Sequence, residues 1–156
     1  FSESKKASLK AAELALERLG VLALRHRLWH TLSGGEAQRV NMASLMAQEA
    51  HIWLLDEPAN HLDPAVQQQL FHQIYQQWNR GQTTVLITHN LNLLLAAVPV
   101  SEQKNLQVLG LQGGSQAFVL PLDHPDLPQK LGALYNVRVQ EVAVFGKRHL
   151  VFGETL

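Results

Sequence analysis

The segment HIWLLDEPANHLDP, residues 51–64, contains the strongest fold signal in the chain. A short apolar run at 51–55 stops at an acidic pair and at Pro58, which cannot continue a central strand ladder. This pattern predicts a strand of a parallel sheet that is buried on both faces. Asp63-Pro64 then predicts a helix start, because an N-cap carboxylate is followed by proline at the first helical position.

The flanking segments extend this pattern in both directions. Downstream, a helical pattern with a glutamine-rich polar face leads to a second β-branched run at 83–88, which stops at His89. Strand, helix and strand in this order predict a parallel crossover. Upstream, residues 7–19 and a stretch from Ser33 or Gly34 to about residue 48 have helical spacing. The fold class is therefore predicted to be α/β.

The remaining sequence predicts smaller elements. A helix is expected at 90–98, a hairpin from 106–111 with 117–120, a short helix at 127–135 and a terminal hairpin from 140–145 with 149–152. The proline-rich stretch 121–128 is expected to be a linker.

Composition excludes several classes of protein. The 156 residues are 46% apolar and 17% charged, which is typical of a folded domain and not of a disordered chain. Thirteen basic residues balance thirteen acidic ones, so no nucleic-acid partner is expected. The absence of cysteine removes disulfides and thiolate metal sites. No apolar run is long enough for a membrane helix, and Phe1 is expected to be a cut end rather than a targeting signal.

A capped helix start at 33–36 could bind an anion. Ser33 and Glu36 have the spacing of a capping box, and the first N–H groups of a helix lack intrahelical partners. Gly34 and Gly35 would let a phosphate approach the backbone closely. The alternative is an ordinary capped helix.

Asp56 and Glu57 follow the first strand, at the edge where open α/β sheets bind ligands. Asp56 could hold Mg²⁺, and Glu57 could orient and deprotonate water. His89 ends the second strand and could donate a hydrogen bond to a phosphate at the same edge. The alternatives are an acidic turn for the pair and a turn residue for His89.

The joint order of these motifs resembles the second half of an ATP-binding cassette (ABC) ATPase, a P-loop NTPase with a RecA-like core. The matching stretches are LSGGE at 32–36, IWLLDEP at 52–58, NHLD at 60–63 and TH at 88–89. By resemblance, residues 32–36 are the signature motif, 54–57 the end of Walker B, 60–63 the D-loop and His89 the switch histidine.

The resemblance implies roles for individual residues. Ser33, Gly34 and Gly35 would face the γ-phosphate of ATP held by a second, head-to-tail subunit. Glu36 of the same motif and Asp63, at the seam between the two subunits, are also expected to be nucleotide-binding residues. Within one subunit, Asp56 would position Mg²⁺, Glu57 would be the catalytic base and His89 would sense the γ-phosphate. ATP and Mg²⁺ are the implied cofactors.

The phosphate-loop motif of the family is absent, as is the glutamine-bearing loop expected between it and the signature motif. No Gly-x-x-x-x-Gly-Lys-Ser/Thr occurs in the sequence, and we expect this phosphate loop upstream of Phe1. Its strand is expected to lie between the strands that end at Asp56 and His89. The chain alone is therefore expected to fold poorly or to bring those two strands together, and to be inactive.

The resemblance also implies a domain layout. Residues 1–48 would be a remnant of the ABC helical subdomain with the signature motif, 49–120 the C-terminal half of the RecA-like core, and 121–156 a C-terminal extension. The tail, LGALYNV at 131–137 with the hairpin after it, is similar to that of metal-chelate importers for iron-siderophores, haem or cobalamin, with other importers left open.

In that family the subunit lies peripherally on the cytoplasmic side of the plasma (inner) membrane and drives an integral membrane permease. Two alternatives are kept: a soluble, non-transport ABC ATPase, and a truncated, non-catalytic chain that regulates an intact cassette.

Overall fold

A computed structural model describes residues 3–60 and 62–155. The chain divides into two compact units, Phe1–Thr88 and His89–Leu156. The first contains α1 (Glu3–Arg18), α2 (Gly34–Ala47), β1 (Ile52–Asp56), α3 (Pro64–Asn79) and β2 (Thr83–Ile87), with short 3₁₀ helices at Leu22–Leu24 and Trp29–Thr31. The second contains α4 (Leu91–Ala97), a 3₁₀ helix (Val100–Asn105), β3 (Gln107–Gln112), β4 (Ser115–Pro121), α5 (Leu127–Tyr135), β5 (Val137–Val144) and β6 (Lys147–Thr155).

Local capping signals set the helix starts of the first unit. Ser33 caps α2 with a complete capping box, and the Asp63 carboxylate accepts hydrogen bonds from the first turn of α3, whose first residue is proline. Gly20 follows α1 with φ +68°, a conformation that glycine adopts without strain. The three predicted helices are thus confirmed, with small shifts at their ends.

The two strands of the first unit pair in parallel, from Ile52 opposite Thr83 to Asp56 opposite Ile87. The predicted parallel pairing is confirmed. The prediction of burial on both faces is wrong, because Trp53 is 3% exposed whereas its neighbour Leu54 is 74% exposed. Burial in β1 therefore alternates with the pleat, and the described helices of the first unit leave the Leu54 face exposed.

The second unit closes around one apolar core. Its buried members are Leu95, Phe118, Leu122, Leu127, Leu131 and Leu150. β3 and β4 pair antiparallel, and β5 pairs antiparallel with β6 around a Phe145-Gly146 turn in which both residues have positive φ. Both predicted hairpins and the predicted short helix are confirmed, and the terminal hairpin is longer than predicted.

The proline-rich stretch 121–128 belongs to this core. Leu122 is completely buried and Leu127 nearly so, which shows that the stretch is not a free linker. The domain boundaries after residues 48 and 120 stay predictions. None of the helices in the described part of the chain is long and apolar enough to cross a bilayer.

Candidate nucleotide site

The start of α2 is a rigid, polar helix terminus. The Ser33 backbone N–H donates to Glu36 Oε2 at 2.8 Å, and the Glu36 N–H donates to Ser33 Oγ at 3.3 Å. These bonds, the backbone one first, hold the pKa of Glu36 below its usual range, and the guanidinium groups of Arg27 and Arg39 act in the same direction. Glu36 therefore stays ionised near neutral pH and keeps its hydrogen bond to the Ser33 N–H.

The capping box determines which donors remain for a ligand. It engages the N–H groups of Ser33 and Glu36, whereas those of Gly34 and Gly35 have no hydrogen-bond partner within residues 3–60 and 62–155. Gly34 is open to solvent. At Gly35 an added Cβ would lie 3.3 Å from a methyl group of Val66, so α3 packs closely against this turn. Two adjacent backbone donors at a helix N-terminus can bind an anionic oxygen.

Asp56 and Glu57 lie together at the carboxyl end of β1, as predicted. Asp56 is exposed, and Glu57 is half-buried with φ +42°, an uncommon conformation for a residue with a side chain. The Glu57 N–H donates to Ile87 O at 2.9 Å, which continues the ladder beyond the strand. Both carboxylates line a groove of about 500 Å³ in the first unit, together with Gln38, Asn41 and Asn60 of that unit.

The remaining predicted site residues lie elsewhere. Asp63 Oδ1 accepts from the Ala65 and Val66 N–H groups at 3.1 Å each, so Asp63 is the α3 N-cap. His89 is exposed and begins the second unit, two positions before α4. That His89 and Glu57 lie close together stays a prediction, as do the roles assigned to all these residues.

Two glutamines that sequence analysis did not assign support the loop after Glu57. Gln38 Nε2, in α2, donates to Pro58 O at 2.8 Å, and Gln67 Nε2, in α3, donates to Ala59 O at 3.1 Å. The loop is thereby hydrogen-bonded to both α2 and α3, whose N-cap residues Ser33 and Asp63 are candidate site residues. The signal available in the sequence was the position of Gln38 four residues after Gly34, on the same face of α2.

The residues at this edge fit a magnesium nucleotide better than an independent metal site. Within the described ranges no group of three or more His, Asp or Glu could hold a metal ion. Mg²⁺ is commonly bound by one or two carboxylates together with substrate phosphates. The exposed Asp56 carboxylate suits that mode, because phosphate oxygens would complete the set.

Comparisons with known proteins identify the family. A family model described as ABC transporter matches residues 2–60. The phosphonates import ATP-binding protein of Polaromonas sp. is 33% identical over 93% of this chain and 49% of its own length. The thiamine import ATP-binding protein of Vibrio cholerae is 32% identical over 78% of this chain and 52% of its length. This chain carries part of an ABC transporter ATPase domain, and it spans about half the length of these curated relatives.

Solved structures agree on the fold. An inward-facing metal-chelate type ABC transporter superposes with a TM-score of 0.75 at 25% identity, over 92% of this chain and 56% of that one. An ATP-binding cassette of another ABC transporter superposes with a TM-score of 0.63 at 19% identity, over 82% of this chain and 46% of that one. The α/β, RecA-like fold class expected from the sequence is confirmed.

This superposition bears on the direct pairing of β1 with β2. The pairing agrees with the expectation that the two strands come together in this chain. A TM-score of 0.75 over 92% of the chain supports this as the family arrangement rather than a rearrangement. The expectation that a phosphate-loop strand separates β1 from β2 is therefore wrong.

Proposed function

We propose that this chain is the C-terminal part of the ATP-hydrolysing subunit of an ABC importer. The observation that carries the proposal is the joint presence in one compact unit of the capped α2 start and the acidic end of β1. The first offers the N–H groups of Gly34 and Gly35, and the second offers Asp56 and Glu57 on a groove. An anionic nucleotide with its Mg²⁺ needs both kinds of group.

The α2 start acts on the nucleotide of a second subunit. Ser33, Gly34 and Gly35 contact its γ-phosphate in a head-to-tail dimer, and Glu36 keeps the turn closed. Support comes from the groove that holds Asp56 and Glu57: none of the described residues at 33–36 lines it. A helix start that is separate from the acidic groove is what action across a dimer requires. Asp63 would lie at the seam of that dimer.

The acidic edge performs the hydrolysis in this proposal. Asp56 would hold Mg²⁺, which when bound would supply positive charge to offset that of the phosphates. The Glu57 carboxylate takes a proton from water, whose oxygen bonds to the γ-phosphorus while the bond to the β–γ bridging oxygen breaks. The products are ADP and inorganic phosphate. His89 donates a hydrogen bond to the γ-phosphate, where negative charge develops.

The phosphate loop must come from another part of the subunit. These 156 residues have no Gly-x-x-x-x-Gly-Lys-Ser/Thr motif, so they lack the backbone and lysine groups that hold the β-phosphate. We accordingly expect no ATP turnover from the 156-residue chain by itself.

The wider assignment follows from the relatives. Their names include import of phosphonates and of thiamine, and the structure superposing at 0.75 is of metal-chelate type. Together with the tail at 131–137, this supports an importer, with an iron or other metal chelate or cobalamin as the substrate class. A permease partner and a peripheral site on the cytoplasmic side of the membrane belong to the same proposal.

The test compares two glutamates of the first unit in the full-length protein. Glu57→Gln should lower kcat for MgATP at least about a hundredfold, the loss typical of a missing general base, while MgATP binding persists. Glu49→Gln is the matched control, because Glu49 also has a positive φ and is exposed; it should keep full activity. Phosphate release and nucleotide binding are measured on both variants.

The outcomes separate the rival functions. Equal activity of the two variants would overturn the role of Glu57. Turnover without any membrane partner in a pull-down would favour a non-transport ATPase. A full-length protein that binds no ATP but lowers the turnover of an intact cassette would favour the regulatory chain.

A further inference from the structure

The helix that follows His89 depends on tertiary contacts. α4 has seven residues, and its N-cap residue Asn90 makes no side-chain capping bond. Isolated helices shorter than about 12–15 residues are marginal in water. Because α4 starts two positions after His89, whatever holds its first turn also sets the direction of the backbone at His89.

Asn92 holds that first turn against β6. Its Nδ2 donates to Leu150 O at 2.9 Å, and the Leu150 N–H donates to Asn92 Oδ1 at 2.8 Å. The side-chain amide thus pairs with one residue of the strand as a neighbouring strand would. Leu150 is buried, so the loss of Asn92 would leave a buried backbone N–H and C=O without these partners.

The same strand also bonds to the end of α4. Lys147 Nζ donates to Ala96 O at 3.1 Å. Arg148 Nη1 donates to Gln103 Oε1 at 3.0 Å, and Gln103 Nε2 donates to Val98 O at 3.1 Å. The last carbonyl groups of a helix have no intrahelical donors, so β6 supplies part of the C-terminal capping as well.

The side chains that make these hydrogen bonds are held in place, because they are buried or bonded to a further residue. The Gln103 side chain is completely buried, and Arg148 Nε donates to Glu141 Oε1 at 2.8 Å, which orients the guanidinium. Leu95 and Leu150 pack in the same apolar core. α4 and the terminal hairpin therefore form one body, with bonds at both ends of the helix.

We propose that β6 positions α4 and, through its first turn, the imidazole of His89, with Asn92 as the positioning residue. The inference rests on the proposed function of His89 as the group that contacts the γ-phosphate. It assigns to the terminal hairpin an indirect part in hydrolysis, through α4 and His89.

The experiment measures MgATP hydrolysis by the full-length protein. Asn92→Ala should lower kcat about tenfold with KM within about twofold, as expected when hydrogen bonds that support only the transition-state geometry are lost. Asn105→Ala is the control, because Asn105 is an exposed asparagine of the same unit. It should leave both constants unchanged.

A double variant distinguishes positioning from general damage. If Asn92 acts through His89, Asn92→Ala should cause no further loss of kcat, within about twofold, in a His89→Ala background. A merely structural role would lower kcat by the same factor in both backgrounds, and that result overturns the inference while leaving the role of His89 intact. A His89→Ala variant with full activity would instead overturn the proposed role of His89.

A milder variant covers the case in which Asn92→Ala does not fold. Lys147→Ala removes one bond from an exposed side chain and leaves the core filled. The control is Lys130→Ala, because Lys130 is an exposed lysine on α5. The kcat of Lys147→Ala should be about two- to threefold lower than that of Lys130→Ala, and the two should be equal in the His89→Ala background. Equal kcat values for the two lysine variants would overturn the inference.

Discussion

The strands of the two compact units differ in how they pack and pair. In the second unit, β3, β4 and β6 each contribute to, or pack against, a core that the unit closes by itself, and Phe118 and Leu150 are buried. In the first unit, β1 and β2 bury one face and leave apolar side chains exposed on the other, with Leu54 as the extreme case. The second unit also leaves apolar strand side chains exposed, such as Leu111 and Val151. The two units therefore differ in how their strands pair, parallel in the first and antiparallel in the second, and in whether the unit closes a core.

The difference reflects how each kind of sheet obtains its partners. Antiparallel hairpins join through turns of two or three residues, so their partners are near in sequence. Parallel strands need crossover elements on both faces before they are fully buried. In the described residues, the helices of the first unit supply one such face only.

The largest expected effect tests the two faces of β1. In the 156-residue chain, Trp53→Ala should cost about 3–5 kcal/mol of unfolding free energy because it empties a buried site, whereas Leu54→Ala on the exposed face should cost less than about 1 kcal/mol. Urea denaturation of both variants measures this. Equal costs would show that the Leu54 face is covered in solution, and the absence of a cooperative transition would support poor folding of the chain alone.

The second prediction concerns the packing of α5 on β5. A Cβ added at Gly132 would lie 2.8 Å from Val137 O, a backbone atom that cannot move aside cheaply. Gly132→Ala should therefore destabilise the second unit by about 1–3 kcal/mol. Gly153→Ala is the control, because the added Cβ would lie 3.5 Å from the nearest atom, Arg138 O, which is an ordinary contact. A neutral Gly132→Ala would mean that α5 sits farther from β5 than the structure places it.

A smaller effect is expected at the α2 start. Ser33→Ala removes the side-chain half of the capping box and should cost about 1 kcal/mol. Ser44→Ala, an exposed change within the same helix, should be neutral or slightly stabilising because alanine is the better helix former. Thermal unfolding of the two variants measures the difference. A loss of the same size at Ser44 would remove the specific role of the cap.

The smallest effect is a pH dependence in the second unit. The hydrogen bond from Arg148 holds the pKa of Glu141 below its ordinary value of 4.5, and the Arg148 charge adds to this. The unfolded chain therefore takes up the proton first as pH falls. The stabilisation is present above pH 4.5 and is lost as pH falls through the lower, folded pKa.

Its size should stay below about 1 kcal/mol, because the Glu141 side chain is 36% exposed and solvent screens the pair. The slope of the unfolding free energy against pH, measured between pH 6 and pH 3, should be smaller in Glu141→Gln. It should be unchanged in Glu154→Gln. An unchanged slope in the first variant would show that the ion pair does not contribute.

Sequence patterns predicted the local parts of the fold and of the site. The starts of α2 and α3 followed from Ser33, Asp63 and Pro64, whose capping acts within three residues. The position of the acidic pair at the end of β1 followed from Pro58. The unusual backbone of Glu57 did not, because its φ of +42° occurs where its N–H bonds to Ile87 on the other strand, a contact that the local sequence does not reveal.

The motifs and the short-range signals thus determined the family and the order of its elements, since a cap, a proline or a turn glycine acts on its immediate neighbours. Tertiary structure alone decided that Leu54 is exposed, that Leu122 joins the core, and that Asn92 bonds to a strand 58 residues away. Each of these depends on which distant surface covers a residue. A pattern read along the chain does not carry that information, because burial is a property of the packed surfaces.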